Sequence, residues 1–377
     1  MKIVVAPDSF KNCLPAKTVC EAVKRGVLKA NPNTEVFCIP LADGGEGTAD
    51  CFLAATGGHA VSLRVQNAYG EEKTAQYIRS ADGTTALVEM AQAAGIEGID
   101  KNYLRTKNAS TYGVGQMLLH AAKAGAKHII VGLGGSATTD GGMGVLAALG
   151  FRFFNAQGEV LAPIGANMET VCTIAPPEKS VISPEIHFTY ACDVQNPFYG
   201  DTGAAFVFAK QKGADETDIA LLDAGLRNLA VRYRAAFGRD ISALPSMGAA
   251  GGLCGGLYAA FGGKVQSGLE MLAELAGLEG KIATADLVLT GEGRTDRQTA
   301  FGKLPARVAA KAQKYDVPCV LLSGEITADF DTKLCGFFAA QALKTAEMSK
   351  EYAIKNAEML LENAAFSIVK KQKNAFS

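Results

Sequence analysis

The same strand–helix alternation is written at both ends of this 377-residue chain and is missing from its middle, which sharply narrows the folds open to it. Residues 2–6 form a short apolar run. Pro15 then opens a helical pattern through Ala16, Val19, Cys20, Val23 and Val27, which Asn31-Pro32 breaks. A second apolar run covers 35–40, and a second helix covers 47–55, ending at Gly57-Gly58. Toward the other end, 285–290, 317–323 and 336–340 read as buried strands, with a helix over 303–314. The spacing predicts an amphipathic closing helix over 348–370, with Met359, Leu360, Ala364 and Ile368 on one face. Five short buried strands with helices between them are the content of one flavodoxin-like parallel sheet, so 1–60 and 268–377 are expected to form one discontinuous α/β domain.

The middle reads differently. Alternating strands are expected at 61–65, 73–79 and 85–90, then a helix near 111–124 and a strand at 128–132 that runs into Gly-rich sequence. A short helix at 145–149, a strand at 151–154, apolar runs at 186–191 and 205–209, and a charged helix over 216–236 follow. The expected architecture is a mixed α/β domain, 61–267, inserted into the flavodoxin-like one, with the active site in the interdomain cleft. No internal repeat is visible.

Charge and cysteine content exclude several function classes. Lys and Arg number 37 against 38 Asp and Glu, a net charge of -1, so no positive field exists to hold nucleic acid or an anionic membrane. Nine cysteines without a C-x-x-C pair suit reduced thiols rather than a disulfide framework or a zinc knuckle, and the four histidines are too dispersed to form a ligand cluster. The one long uncharged stretch, 241–263, holds seven Gly and a Pro, too much for a membrane span, and 2–6 is too short for a signal peptide's apolar core. A cytoplasmic monomer or homodimer acting on small molecules is expected.

Ligands of open parallel sheets gather at the carboxyl ends of the strands. After the first apolar run comes Pro7-Asp8-Ser9-Phe10-Lys11, and after the second come Asp43 and Glu46 among glycines. After the third come Glu292, Arg294, Asp296, Arg297 and Gln298, and after the fourth, Ser323-Gly324-Glu325. Any one of these could merely cap a helix or make a turn, but four charged loops at one sheet edge point to a site. Glycine, 42 residues or about 11% against a usual share of about 7%, clusters beside acidic and hydroxyl residues.

The segment Gly132-Leu-Gly-Gly-Ser-Ala-Thr-Thr-Asp-Gly-Gly-Met-Gly144 contains G-x-G-x-x-A, a weak dinucleotide signal, because the next strand ends in Asn155 with no acid for a ribose. Its amides at Gly134 and Gly135 and the hydroxyls of Ser136, Thr138 and Thr139 suit a phosphate. Asp193 and Asn196 follow a buried strand, where they could meet Mg2+ or a hydroxyl, or simply cap the turn before Pro197. The glycines of 248–256, Gly251 and Gly252 among them, mark either tight helix packing or close approach to a ligand.

Carboxylates, a few cations, anion cradles and no His or Cys constellation fit phosphoryl transfer better than hydrolysis by a nucleophile–base pair. An NAD(P)-dependent hydroxy-acid dehydrogenase and a non-enzymatic small-acid binder are the alternatives.

The motifs P-D-S-F-K at 7–11, A-D-G-G-E-G-T at 42–48, G-G-S-A-T-T-D-G-G at 134–142, A-C-D-V-Q-N-P at 191–197, G-A-A-G-G-L at 248–253 and T-G-E-G-R-T-D-R-Q-T at 290–299 together resemble the bacterial type-1 glycerate kinases. The likeness runs co-linearly from residue 1 to about 325. It departs from the usual pattern at Cys13, Pro15, Thr139 and 267–270. The resemblance implies phosphorylation of D-glycerate by ATP with Mg2+, usually at the 2-hydroxyl, in glyoxylate and organic-acid breakdown. The alternative product is 3-phosphoglycerate.

On this resemblance Lys11, Asp193, Arg294 and Asp296 are catalytic candidates, and Ser9, Asp8, Gln298 and Asn196 substrate-binding ones. Gly134, Gly135, Ser136, Thr138, Gly251 and Gly252 are candidates for the nucleotide, and Asp43, Glu46 and Glu292 for the metal.

Overall fold

The structure is a computed structural model that describes residues 1–43, 47–297, 299, 302–332 and 335–375. The chain divides into two compact units, Met1–Gly57 with Gly268–Ser377, and Gly58–Ser267. In chain order the strands are β1 Lys2–Val5, β2 Glu35–Cys38, β3 His59–Gln66, β4 Glu72–Arg79, β5 Thr85–Glu89, β6 His128–Gly132 and β7 Arg152–Phe154. They continue as β8 Thr173–Ala175, β9 His187–Ala191, β10 Lys264–Gln266, β11 Leu287–Thr295, β12 Cys319–Ile326 and β13 Ala339–Ala342.

The first unit is built on a five-stranded sheet of order β13-β12-β11-β1-β2, with every pairing parallel. Taken from β2, its strands follow the order of a flavodoxin-like sheet. Ile3, Val4 and Val5 pair with Leu287, Val288 and Leu289, and all six are buried, as central parallel strands covered on both faces must be. Each such side chain withdrawn from water contributes about 1.5–3 kcal/mol.

β11 and β12 run farther than their apolar cores, so 291–295 and 324–326 are ladder residues rather than loops. Arg294 pairs with Glu325 in register.

The helix Ala16–Ala30 buries Ala16, Val19, Cys20, Val23 and Val27 as its spacing predicts. The closing segment is two helices, Lys350–Lys355 and Ala357–Ala375, interrupted at Asn356. Its buried stripe is Leu361, Ala364, Ala365 and Val369, while Met359 is 45% exposed, so the apolar face lies a fraction of a turn from the expected one. Gly26 makes the contact with the first helix possible, since a Cβ there would lie 2.1 Å from the carbonyl oxygen of Glu362.

The second unit carries a six-stranded mixed sheet of order β10-β9-β6-β5-β4-β3, antiparallel from β3 to β5 and parallel from β5 to β10, and a separate β7–β8 pair. The apolar run near 205–209 is the helix Ala204–Phe208. A run that short cannot separate strand from helix by periodicity. The helix Glu216–Phe237 begins where the Asp215 side chain accepts from the Asp218 N–H, and it buries Leu222, Leu226, Leu229 and Tyr233. No described helix is long and apolar enough to cross a membrane.

Candidate active site

In the first unit the chain leaving β1 stays zipped to β11. The Ala6 N–H donates to the Leu289 carbonyl at 2.8 Å and the Asp8 N–H to the Gly291 carbonyl at 2.9 Å. Asp8 is thereby fixed at the carboxyl end of the sheet. Gly293 lets the chain pass close by, because a Cβ on it would lie 3.3 Å from Phe10 Cα and 3.4 Å from Lys11 N.

Burial pushes the Asp8 carboxyl up to about 6. The neighbouring charges of Asp43 and Glu292 push the same way, while Lys11 and the Ser9 N–H, 2.7 Å from Oδ1, oppose them. Asp8, Ser9, Lys11, Asp43 and Glu292 therefore share one electrostatic neighbourhood. Lys11, Asp43 and Arg294 are exposed, and neither Lys11 nor Arg294 has an ion-pair partner among the described residues.

Glu292 is 7% exposed, and burial raises its pKa. Its Oε1 accepts from the hydroxyls of Thr299 at 2.7 Å and Thr295 at 2.9 Å, and the Thr295 hydroxyl also lies 2.9 Å from Ser323 Oγ. Through Oε1 this carboxyl fixes the end of β11. Asp296 pairs with Lys303 at 3.0 Å. Glu46 and Gln298 lie outside the described residues.

In the second unit the loop after β6 exposes Gly134 and Gly135, the latter at φ +69°. The Ile96 N–H donates to the Gly135 carbonyl and the Ala137 N–H to the Ala94 carbonyl, at 2.8 and 2.9 Å. Beneath the loop, Lys212 is only 3% exposed, and its Nζ donates to Ser136 Oγ at 2.7 Å and to the Thr138 carbonyl at 2.8 Å. Burial pushes its pKa down to about 7, against the pull of Asp140.

Thr138 Oγ1 is buried without a hydrogen-bond partner among the described residues. Thr139 Oγ1 accepts from the Thr106 hydroxyl at 3.0 Å. Asp140, fully buried, accepts from the Thr111 N–H and hydroxyl and from the N–H groups of Gly142 and Gly144 at 2.7 to 3.1 Å, so it shapes the turn.

Gly251 and Gly252, expected at the nucleotide, are buried behind this loop. A Cβ at Gly251 would lie 2.0 Å from the Thr138 carbonyl oxygen, and one at Gly252 2.8 Å from the Phe198 ring. These glycines let backbone pack on backbone, with the Gly141 N–H donating to the Gly251 carbonyl at 3.0 Å. Asp193 is exposed after β9. The Asn196 side chain donates to the Thr202 carbonyl at 2.8 Å, holding its own turn.

Lys212, Thr295 and Thr299 escaped the sequence reading. Lys210-Gln-Lys212 looks like an ordinary solvated cationic patch, and hydroxyls carry no charge signal.

Across the whole chain, the sequence profile of the glycerate kinase family matches residues 3–373. The chain belongs to that family. A glycerate kinase of Bacillus cereus is 39% identical over 98% of this chain and 97% of its own length. The glycerate 2-kinase of Escherichia coli K12 is 39% identical over 87% of this chain and 86% of its own length. A crystal structure of a Salmonella typhimurium LT2 protein described as glycerate kinase 2 superposes with a TM-score of 0.89 at 37% identity, covering 100% of this chain and 99% of that one. As a glycerate kinase family member the protein is a kinase, and the dehydrogenase and binding-protein alternatives fall away.

Among the described residues no three His, Cys, Asp or Glu side chains converge as a metal cage. A kinase does not need one, because Mg2+ in such sites is held by one or two carboxylates together with water and substrate phosphates. Asp43, an exposed carboxylate beside Asp8, fits that demand.

Proposed function

We propose that this kinase transfers the γ-phosphoryl group of ATP to the 2-hydroxyl of D-glycerate, giving 2-phospho-D-glycerate and ADP within organic-acid and glyoxylate breakdown. The observation that carries the reading is the gathering of Asp8, Ser9, Lys11, Asp43 and Glu292 around the carboxyl end of β1 and β11. The glycerate 2-kinase name of the Escherichia coli relative supports the 2-position.

In this reading Asp8, rather than serving only to bind substrate, accepts the proton of the attacking hydroxyl as that oxygen bonds to the γ-phosphorus and the bond to the β-phosphate oxygen breaks. A carboxylate whose pKa sits near 6 is ionised at neutral pH yet basic enough to take a proton. Lys11 and Arg294 hold the glycerate carboxylate and the moving phosphoryl group, where anionic charge accumulates. Ser9 hydrogen-bonds the substrate, and Asp296 with Gln298 orients its hydroxyl. Asp43, with Glu46, holds Mg2+, which when bound neutralises charge on the β- and γ-phosphates. The loop Gly134–Thr138 receives the triphosphate through its amides, while Asp193 remains a catalytic candidate and Asn196 a substrate-binding one. Nine unpaired cysteines suit a reducing compartment, here the cytoplasm, and a monomer or homodimer is expected.

A product assay tests this. The protein is incubated with Mg-ATP and D-glycerate, and the product is offered to enolase alone and to phosphoglycerate mutase plus enolase. Immediate turnover by enolase alone is expected. Turnover only with the mutase means a 3-kinase, and no ADP from any glycerate overturns the reading.

A further inference from the structure

Among the described residues Lys212 is the one buried lysine, it lies beside the loop proposed for the nucleotide, and the proposed chemistry leaves it unused. It sits in the short turn Lys210–Lys212 and is 3% exposed, against the ordinary habit of lysine to keep its ammonium in water. A lysine ammonium has three donors, and two are spent on the loop, on Ser136 Oγ at 2.7 Å and the Thr138 carbonyl at 2.8 Å. Both acceptors belong to the segment whose outer face is the exposed pair Gly134-Gly135. The same segment contains Thr138 Oγ1, buried and without a hydrogen-bond partner among the described residues.

A buried cation with a spare donor and an orphan hydroxyl, both under a glycine turn, are costly features unless an anion completes them. We propose that Lys212 is a positioning residue for a nucleoside polyphosphate, holding Ser136 and Thr138 from behind the loop and supplying the positive charge that a phosphate on its outer face requires. This rests on the reading that the loop receives the nucleotide. The charged group acting on Lys212 from the elements around it is Asp140, itself bound by the amides of Gly142 and Gly144 and by Thr111. Arrival of a phosphate would add a second anion, so the amine, depressed to about 7 by burial, would take up a proton as nucleotide binds.

The test is calorimetric titration with Mg-ADP near pH 7.5, in buffers of different ionisation enthalpy, together with steady-state kinetics. Lys212→Met should weaken Mg-ADP by about 30-fold or more and raise KM for ATP in step, leaving KM for glycerate within about threefold. The wild type should take up about half a proton or more on binding, and Lys212→Met none.

Ser136→Ala, which keeps the lysine and removes one of its acceptors, should weaken Mg-ADP about threefold to tenfold, and it keeps the question answerable if Lys212→Met folds poorly. Gly134→Asp, which adds a repelling charge on the exposed side, tests the underlying reading. If it weakens Mg-ADP while Lys212→Met and Ser136→Ala leave affinity and proton uptake unchanged, the lysine is structural only and the inference is wrong. If Gly134→Asp has no effect either, the nucleotide does not use this loop, and the reading beneath the inference fails with it.

Discussion

The sheet edge of the first unit and the loop after β6 in the second, the two regions proposed to meet the substrates, are built by opposite means. At the sheet edge, charged side chains stand at strand ends, from the buried Glu292 to the exposed Lys11, Asp43 and Arg294, and those around Asp8 tune it. Asp8 is raised by its burial and by Asp43 and Glu292, and lowered by Lys11. At the loop, almost everything polar is buried, and the shape comes from backbone. Glycines allow main chain to lie on main chain, Asp140 gathers amides, and one buried lysine holds the turn from inside. The first arrangement is reactive and tolerant of shape, and the second is rigid and intolerant of added atoms. Substitutions should therefore cut rate at the sheet edge and cost stability or nucleotide affinity at the loop.

The largest effect is expected at Asp8. Asp8→Asn keeps the volume and removes the proton acceptor, so kcat should fall by about 10²–10⁴, about 3–5 kcal/mol, with KM for ATP nearly unchanged. At the loop, Gly251→Ala forces a methyl group against the Thr138 carbonyl at a φ of +67°. Urea denaturation should show a loss of about 3 kcal/mol, the sum of overpacking and a left-handed backbone penalty.

Lys212 gives a stability signature with a definite sign. Its folded pKa, about 7, lies below the ordinary 10.5, so between those values the unfolded chain binds the extra proton and stability rises with pH. Wild type should gain about 2 kcal/mol over Lys212→Met between pH 7 and 9; a constant difference would mean that the amine titrates normally. Arg294→Ala should lower kcat/KM for glycerate by more than about tenfold, about 1.4 kcal/mol, and a change under about threefold removes Arg294 from the site. Least of all, Met359→Ser should alter unfolding free energy by under about 0.5 kcal/mol, because its side chain faces water on the closing helix.

The same contrast explains what could be read from sequence. Apolar runs of five to seven residues punctuated by turns locate β1, β11 and β12, because strands buried on both faces must be continuously hydrophobic, and they also mark the half-buried edge strands β2 and β13. The charged residues after those runs announce a site at once, since carboxylates and cations at strand ends have little structural reason to cluster. The runs end too early for β11 and β12 because Glu292, Arg294 and Glu325 remain in the ladder though their side chains are polar. Strand pairing is a backbone property that side-chain pattern does not report there.

Lys212 reads as surface because burying a lysine depends on long-range packing, here the approach of 210–212 to a loop more than seventy residues earlier. Gly251 and Gly252 stay open between packing and ligand contact in the sequence, because a glycine needed for contact with another backbone and one needed for contact with a phosphate leave the same mark. Met359 reads as inward-facing because a helix rich in Ala and Leu offers two apolar stripes, and the partner helix decides between them.

Whether Asp8 takes the proton is decided by the pH dependence of kcat/KM for D-glycerate at saturating Mg-ATP, in wild type and Asp8→Asn. An acceptor with a pKa near 6 should make the wild-type value fall about tenfold per pH unit below that point, while the variant is slow throughout and shows no such limb. A variant that keeps the acid limb, or that works within about threefold of wild type, would contradict it.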